Sequence, residues 1–385
     1  MLPLLLLAFA APPLDPALVR GFDFFYNLEY TKALSSFRSE EQSRPNDPHL
    51  QNYIAQAVLY QAMLKAGALE SELVSGSNAF LRREKMNPTA EEQQAFDNAI
   101  ANSLRLAAQQ TNSAHAEHAQ AVAYGLRANY NFLVRKAWLD SLKDSTQARK
   151  HAEACLRLDP TYTDAKLILG VHDYVVGSLS WTYKFLGFLA GIRGDRDGGI
   201  RTIEEVAAKA VNSRVDAKVL LAAIYRREKR SAQALALVEE LIPLYPRNYL
   251  FRLEKAQMLA DLGERERSLA TLDEVIALQQ RRAPGFAALP REKLAFLKGN
   301  LLFWFDDYRA AIPELELAVK ARQELDPNTA LLACLRLGQT HDLLQQREAA
   351  RRAYQFAIAL APDSDLAREC RRYLDRPYFR KKIPV

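Results

Sequence analysis

One frame of small and large residues returns along the chain at fixed internal spacings. In its fullest copy, Leu337 and Gly338 are followed by His341, Ala350, Tyr354, Ala357 and Pro362. The same frame falls on Gly299, Leu302, Ala311, Leu315 and Ala318, and on Leu221, Ala222, Tyr225, Ala234, Val238 and Pro246. Weaker copies run through Ala256, Leu259, Ser268, Leu272 and Val275, through Gly21, Phe24, Ala33, Phe37 and Pro45, and through Ala148, Ala152, Cys155 and Pro160. These spacings describe two helices per unit. The small residue on the first helix lets the second approach, a large residue on the second fills the gap, and proline stops the chain before the next turn. A single hairpin of this kind cannot bury its apolar face, so several must stack. The sequence therefore predicts an all-α chain of stacked hairpins, an α-solenoid.

This frame resembles the tetratricopeptide repeat, whose pattern joins Gly, Tyr, Ala, Phe and Pro at these offsets. The resemblance implies a right-handed superhelix that binds a protein or peptide partner, acts as a scaffold or assembly factor, and uses neither catalysis nor a cofactor. A second stretch, Leu169 to Tyr174 followed by Gly194-Asp195-Arg196-Asp197-Gly198-Gly199-Ile200, is similar to a bacterial group of exported repeat proteins and, more distantly, to Iml-type repeat proteins. That likeness implies a shared scaffold only.

The spacing also divides the chain. The step from Ala234 to Ser268 has the standard length, while those from Ser268 to Ala311 and Ala311 to Ala350 are longer. Residues 12–147 are expected to form lengthened, degenerate hairpins and 148–362 the regular array. An aromatic insertion occupies 174–193, a capping helix 363–376 and a basic tail 377–385. Asp363 or Asp365 is the expected cap of the last helix, and Pro377 ends it. The tail, Tyr378 to Lys382, reads as a disordered end.

Composition bounds the function. The 385 residues include 49% hydrophobic and 25% charged side chains, which excludes wholesale disorder. The net charge of +6 is dispersed among nearly as many acids as bases, so no nucleic-acid footprint is expected. Three cysteines cannot supply a stapling framework. Cys155 and Cys334 fall on core positions of the frame, and Cys370 lies on the helix that could bring it near Cys334. His115 and His118 lack the zincin spacing and read as a surface pair; Asp195 and Asp197 lack the remaining ligands of a calcium loop and read as a turn with a helix cap. No metal site is expected. The apolar run Leu2–Ala11 ends in Ala8-Phe9-Ala10, so residues 1–11 read as a short export leader with a periplasmic or envelope destination; the other reading is an apolar helix of the first repeat.

With the frame glycine fixed, wall-facing positions of the first helices follow. They include Arg226 and Arg227, then Gln257, then Lys293, Phe296, Asn300, Phe303 and Trp304, then Gln339. Gln257, Asn300 and Gln339 recur at one level, and a side-chain amide both donates and accepts, so this ladder fits an extended peptide backbone. Phe296, Phe303 and Trp304 either anchor a partner beside it or pack against neighbouring helices. Position 5 of the frame lacks the Lys of the family's carboxylate clamp, so capture of an acidic tail is not expected. The alternative surface is the aromatic insertion, where Trp181, Tyr183, Phe185 and Phe188 flank Lys184; exposed, it suits a peripheral membrane contact or a partner groove, and buried, it enlarges the core.

Overall fold

The computed structural model describes residues 15–69, 86–178 and 194–380. The expected leader and the core of the aromatic insertion, with Trp181, Tyr183, Phe185 and Phe188, lie outside them. The described residues form seventeen α-helices and no strand. These are α1 (Pro16–Tyr26), α2 (Tyr30–Ser39), α3 (Pro48–Lys65), α4 (Ala90–Ala108), α5 (Ala114–Tyr130), α6 (Trp138–Leu158), α7 (Lys166–Gly177), α8 (Arg196–Lys209) and α9 (Arg214–Arg227). They continue as α10 (Ser231–Leu244), α11 (Tyr249–Asp261), α12 (Arg265–Gln280), α13 (Arg291–Trp304), α14 (Tyr308–Lys320), α15 (Pro327–Leu343), α16 (Arg347–Leu360) and α17 (Asp365–Asp375). None is long and apolar enough to cross a membrane.

The chain divides into two compact units. Of the described residues, 15–62 and 86–228 belong to the first, and 63–69 and 229–380 to the second. In the first unit, α1 pairs with α2, α5 with α6 and α7 with α8; in the second, each helix from α10 to α16 packs on its successor. Consecutive pairing of this kind is the solenoid arrangement the frame calls for.

The frame glycines show why the spacing is fixed. A Cβ on Gly338 would lie 2.3 Å from Cε1 of Tyr354, one on Gly299 2.7 Å from Cγ of Leu315, and one on Gly21 2.4 Å from Cε1 of Phe37. In each case the partner is sixteen residues downstream, on the second helix of the hairpin, so a ring or isobutyl group occupies the space a methyl would need. The turns between the paired helices obey the same register. Leu28, Lys229, Asp306 and Gln345 adopt left-handed conformations with φ of 59–64°, and Gly263 does so at 78°, each seven residues past the small residue. Four of the five hairpin turns thus place a side-chain-bearing residue where glycine is unstrained.

Helix starts are set by local polar residues. The Thr89 hydroxyl accepts the Glu92 amide, and the Glu92 carboxylate in turn accepts the Thr89 amide. Asp195 caps α8 by accepting the Gly198 amide at 3.0 Å, as the turn reading of that sequence implied. The last helix differs in detail from expectation: Ser364, not Asp363 or Asp365, accepts the Ala367 amide at 3.0 Å. All three cysteines are buried free thiols, so Cys334 and Cys370 form no disulfide.

The first unit holds two buried polar clusters. Asp144, 4% exposed, accepts from Arg127 Nε at 2.8 Å, Arg127 Nη2 at 2.7 Å and Asn131 Nδ2 at 2.9 Å. At the other end of α5, the His49 ring lies 4.2 Å from the His115 ring and 5.0 Å from that of His118. The reading of His115 and His118 as a solvated pair is corrected for one of them: His118 is 7% exposed, while His115 remains at the surface. The long α3 and α5 bring His49 against both, an approach invisible to spacing along one helix. No group of side chains among the described residues is placed to hold a metal ion.

Candidate functional site

Wall positions inferred from the frame separate into those that packing consumes and those it leaves accessible. Phe296 and Phe303 are 2% and 0% exposed, so both belong to the core, whereas Trp304 at the end of α13 is 46% exposed. Lys293 is buried at the start of α13, its Nζ 2.8 Å from Oδ2 of the half-buried Asp326. Burial alone would raise the Asp326 carboxyl, but the Lys293 ammonium and the Thr329 amide and hydroxyl together outweigh it and hold the group below its usual range. Lys293 is therefore placed as half of a structural pair.

The expected amide ladder is not open to a peptide backbone, because all three amides lie deep. Gln257, Asn300 and Gln339 are each about one-twentieth exposed or less. Arg336 of α15 ties two of them together, donating from Nε to Asn300 Oδ1 and from Nη1 to Gln339 Oε1, both at 2.7 Å. Gln257 and Asn300 border the same small void with Leu253, Leu297 and Leu301. Sequence reasoning missed Arg336, which sits one frame position away from the wall set. Its guanidinium also lies 4.4 Å from the Phe303 ring centroid and 4.7 Å from that of Trp304, so one cation fixes both the amide level and the aromatic corner.

The expectation of a disordered tail is overturned up to Arg380. The segment after α17 runs onto the α13–α15 corner. The Tyr378 amide donates to Asp342 Oδ2 at 2.8 Å, and Arg380 Nη1 and Nη2 donate to the carbonyls of Phe303 and Trp304 at 3.2 Å. Arg380 Nη1 also meets Asp306 Oδ1 at 2.5 Å, and the guanidinium stands 5.0 Å from the Trp304 ring. Asp342 is itself held by Arg347 at 3.0 Å and by the Tyr354 hydroxyl at 2.8 Å.

In the first unit, Arg227 stacks 5.7 Å from the Tyr174 ring, whose hydroxyl donates to Glu228 at 2.9 Å; Arg226 is half-buried with partners of its own. On the same helix, Asp216 is pushed up to about 6 by burial, although hydrogen bonds from Tyr26 and Gln56 oppose the rise. The Arg226–Arg227 pair and the Gln257–Gln339 set thus belong to different units.

Residues 331–364, which span most of α15, all of α16 and the turn to α17, match the family model of the tetratricopeptide repeat. The chain carries a tetratricopeptide repeat. The Gly338–Tyr354 contact that defines this repeat is the one that recurs at Gly299–Leu315 and Gly21–Phe37. No curated protein matches the chain in sequence. Among solved structures, it is similar to a tetratricopeptide repeat protein from Parabacteroides merdae, with 13% identity, 82% of this chain and 97% of that chain covered, and a TM-score of 0.35. Another is the C-terminal part of a repeat-containing protein from Cytophaga hutchinsonii, with 12% identity, 92% and 98% covered and a TM-score of 0.30. A third is a monomeric mutant of IFIT1 with Gppp-AAAA, with 14% identity, 93% and 63% covered and a TM-score of 0.37.

Proposed function

We propose that the chain is a non-enzymatic scaffold that binds a protein or peptide on the first-helix face of its second unit, at the corner formed by α13 and α15. The observation that carries this reading is Trp304. It is a large aromatic left 46% exposed, yet held in place by its edge-on contact with buried Phe303 at 5.4 Å and by the Arg336 guanidinium. A rigid aromatic beside fixed polar groups is the kind of residue that dominates peptide affinity. Arg336, with Asn300 and Gln339 behind it, keeps the corner preformed, so little is lost in ordering it on binding. We further propose export, on the strength of the apolar run at Leu2–Ala11.

Selection of a random peptide library on the folded chain tests the binding reading. Peptides recovered should lose at least about tenfold in affinity when Trp304→Ala is introduced, the loss expected for a central aromatic anchor. Recovery of binders that are indifferent to Trp304→Ala and to Arg336→Ala would remove the basis for this site. Fractionation of cells expressing the chain with a C-terminal tag, together with the mass of the tagged product, tests export.

A further inference from the structure

We propose that the C-terminal end of α13 is a receptor for an extended aromatic–x–arginine segment, and that Tyr378–Arg380 of this chain occupies it as an internal strap which a partner segment of the same chemistry displaces. This rests on the reading of the α13–α15 corner as a peptide site and names the ligand class and the control of that site.

The receptor is built for a guanidinium. The last carbonyls of a helix lack the amide partners of its interior and carry the negative end of its dipole. Arg380 donates to two of them, that of Trp304 and that of Phe303, which also accepts the Asp306 amide at 3.1 Å, and adds the Asp306 carboxylate, which the left-handed turn at φ 61° places just past the helix end. A planar fork of donors fits three acceptors at this spacing better than a single ammonium does. The flat face of the group is used as well, against Trp304 at 5.0 Å and Phe303 at 5.8 Å.

The second anchor reads main chain. Asp342, whose side chain is 1% exposed, receives the Tyr378 amide, a bond that any residue except proline can make at that place. The Tyr378 ring then packs 6.3 Å from Phe303 and 5.3 Å from Tyr373. Between the two anchors Phe379 is 70% exposed. In an extended segment alternate side chains face opposite ways, so the first and third positions are read and the middle one is not. The recognised pattern is aromatic, any residue, arginine.

The strap is held in a way that permits exchange. The Asp306 side chain is 66% exposed and that of Arg380 29%, so their ion pair is solvent-screened. Attachment through α17 keeps the strap at high effective concentration, which weakens every competing ligand without abolishing its binding.

The test uses the full chain and a fluorescent peptide copying residues 377–382, Pro-Tyr-Phe-Arg-Lys-Lys. The double variant Tyr378→Pro with Arg380→Ala removes the amide and the guanidinium of the strap while leaving α17 intact. It should bind the probe at least about tenfold more tightly than the unaltered chain. Replacing the arginine of the probe by glutamine, or adding Trp304→Ala to the strap variant, should cancel that gain. Equal affinity of the unaltered chain and the strap variant overturns the proposal, as does binding that survives loss of the probe's arginine. Concentration-dependent dimers that vanish in the strap variant overturn the intramolecular arrangement and assign the strap to exchange between copies. Library peptides without the pattern that still require Trp304 overturn the aromatic–x–arginine rule but leave peptide binding at this corner standing.

Discussion

Replacing Gly338 by alanine should destabilise the second unit although alanine is the better helix former. Gly338 lies in the interior of α15, where the exchange by itself is worth about 1 kcal/mol in favour of alanine. Against this, the new methyl would stand 2.3 Å from Cε1, 2.6 Å from Cδ1 and 2.7 Å from Cζ of Tyr354. The ring has little room to retreat. It is fully buried, its hydroxyl donates to buried Asp342 at 2.8 Å, and Tyr373 packs 5.5 Å away. Overpacking of such a site costs roughly 1–3 kcal/mol, and displacing the ring forfeits a hydrogen bond worth about 1 kcal/mol. The net expectation is a loss of about 1–3 kcal/mol. Gly125, in the interior of α5, is the control, because a Cβ there meets nothing within 4 Å. Gly125→Ala should therefore stabilise the first unit by about 1 kcal/mol, the same chemical change acting with the opposite sign. Urea unfolding followed by circular dichroism reads the net effect. Native-state hydrogen exchange in α15, α16 and α5 assigns it to the correct unit, which matters because two units need not unfold together. In the Gly338→Ala background, Tyr354→Leu should recover part of the loss, since it shrinks the group that the methyl strikes. If Gly338→Ala stabilises as Gly125→Ala does, the hairpin contact inferred for the whole frame is wrong.

Other outcomes follow from the same geometry. Lys229→Gly and Gln345→Gly should each stabilise by up to about 1 kcal/mol, because relief of a left-handed side-chain-bearing residue outweighs the added freedom of the unfolded chain; destabilisation in the urea midpoint would contradict the assigned turns. His49 and His118 are held below their usual value, His118 at about 4, chiefly by burial; neighbouring histidines add to the fall, and Asp164 opposes it at His118. The unfolded chain therefore takes up protons near pH 6.5 that the folded unit refuses, and stability should fall as pH drops from about 6.5 towards 4, at up to about 1.4 kcal/mol per pH unit for each group. Asp216, raised to about 6 by burial, acts in the opposite sense because the folded state binds its proton first. The histidine slope is thus best measured in Asp216→Asn, where His118→Gln should flatten it. Asp144→Ala strips Arg127 and Asn131 of their shared acceptor and should cost about 1–3 kcal/mol in thermal or urea unfolding. Cys155, Cys334 and Cys370 are buried thiols pushed up to about 12, chiefly by burial, so all three should resist alkylation until urea unfolds the chain.

The sequence by itself determined the hairpin frame. Gly338 with Tyr354, Gly299 with Leu315 and Gly21 with Phe37 are close in sequence and on adjacent helices, so helical period, residue size and turn length suffice to place them. It also placed Gln257, Asn300 and Gln339 on the first helices of their hairpins, since helix membership follows from local pattern. Tertiary structure decided what those side chains do. Arg336 reaches Asn300 across 36 residues, Arg380 reaches Phe303 across 77, and His49 comes against His115 across 66. No periodicity encodes such meetings. Pattern along a chain reports which way a side chain leans. Its exposure and its partners depend on the neighbouring repeat, on how deep the stacked helices bury it, and on what later segment is drawn onto the same surface.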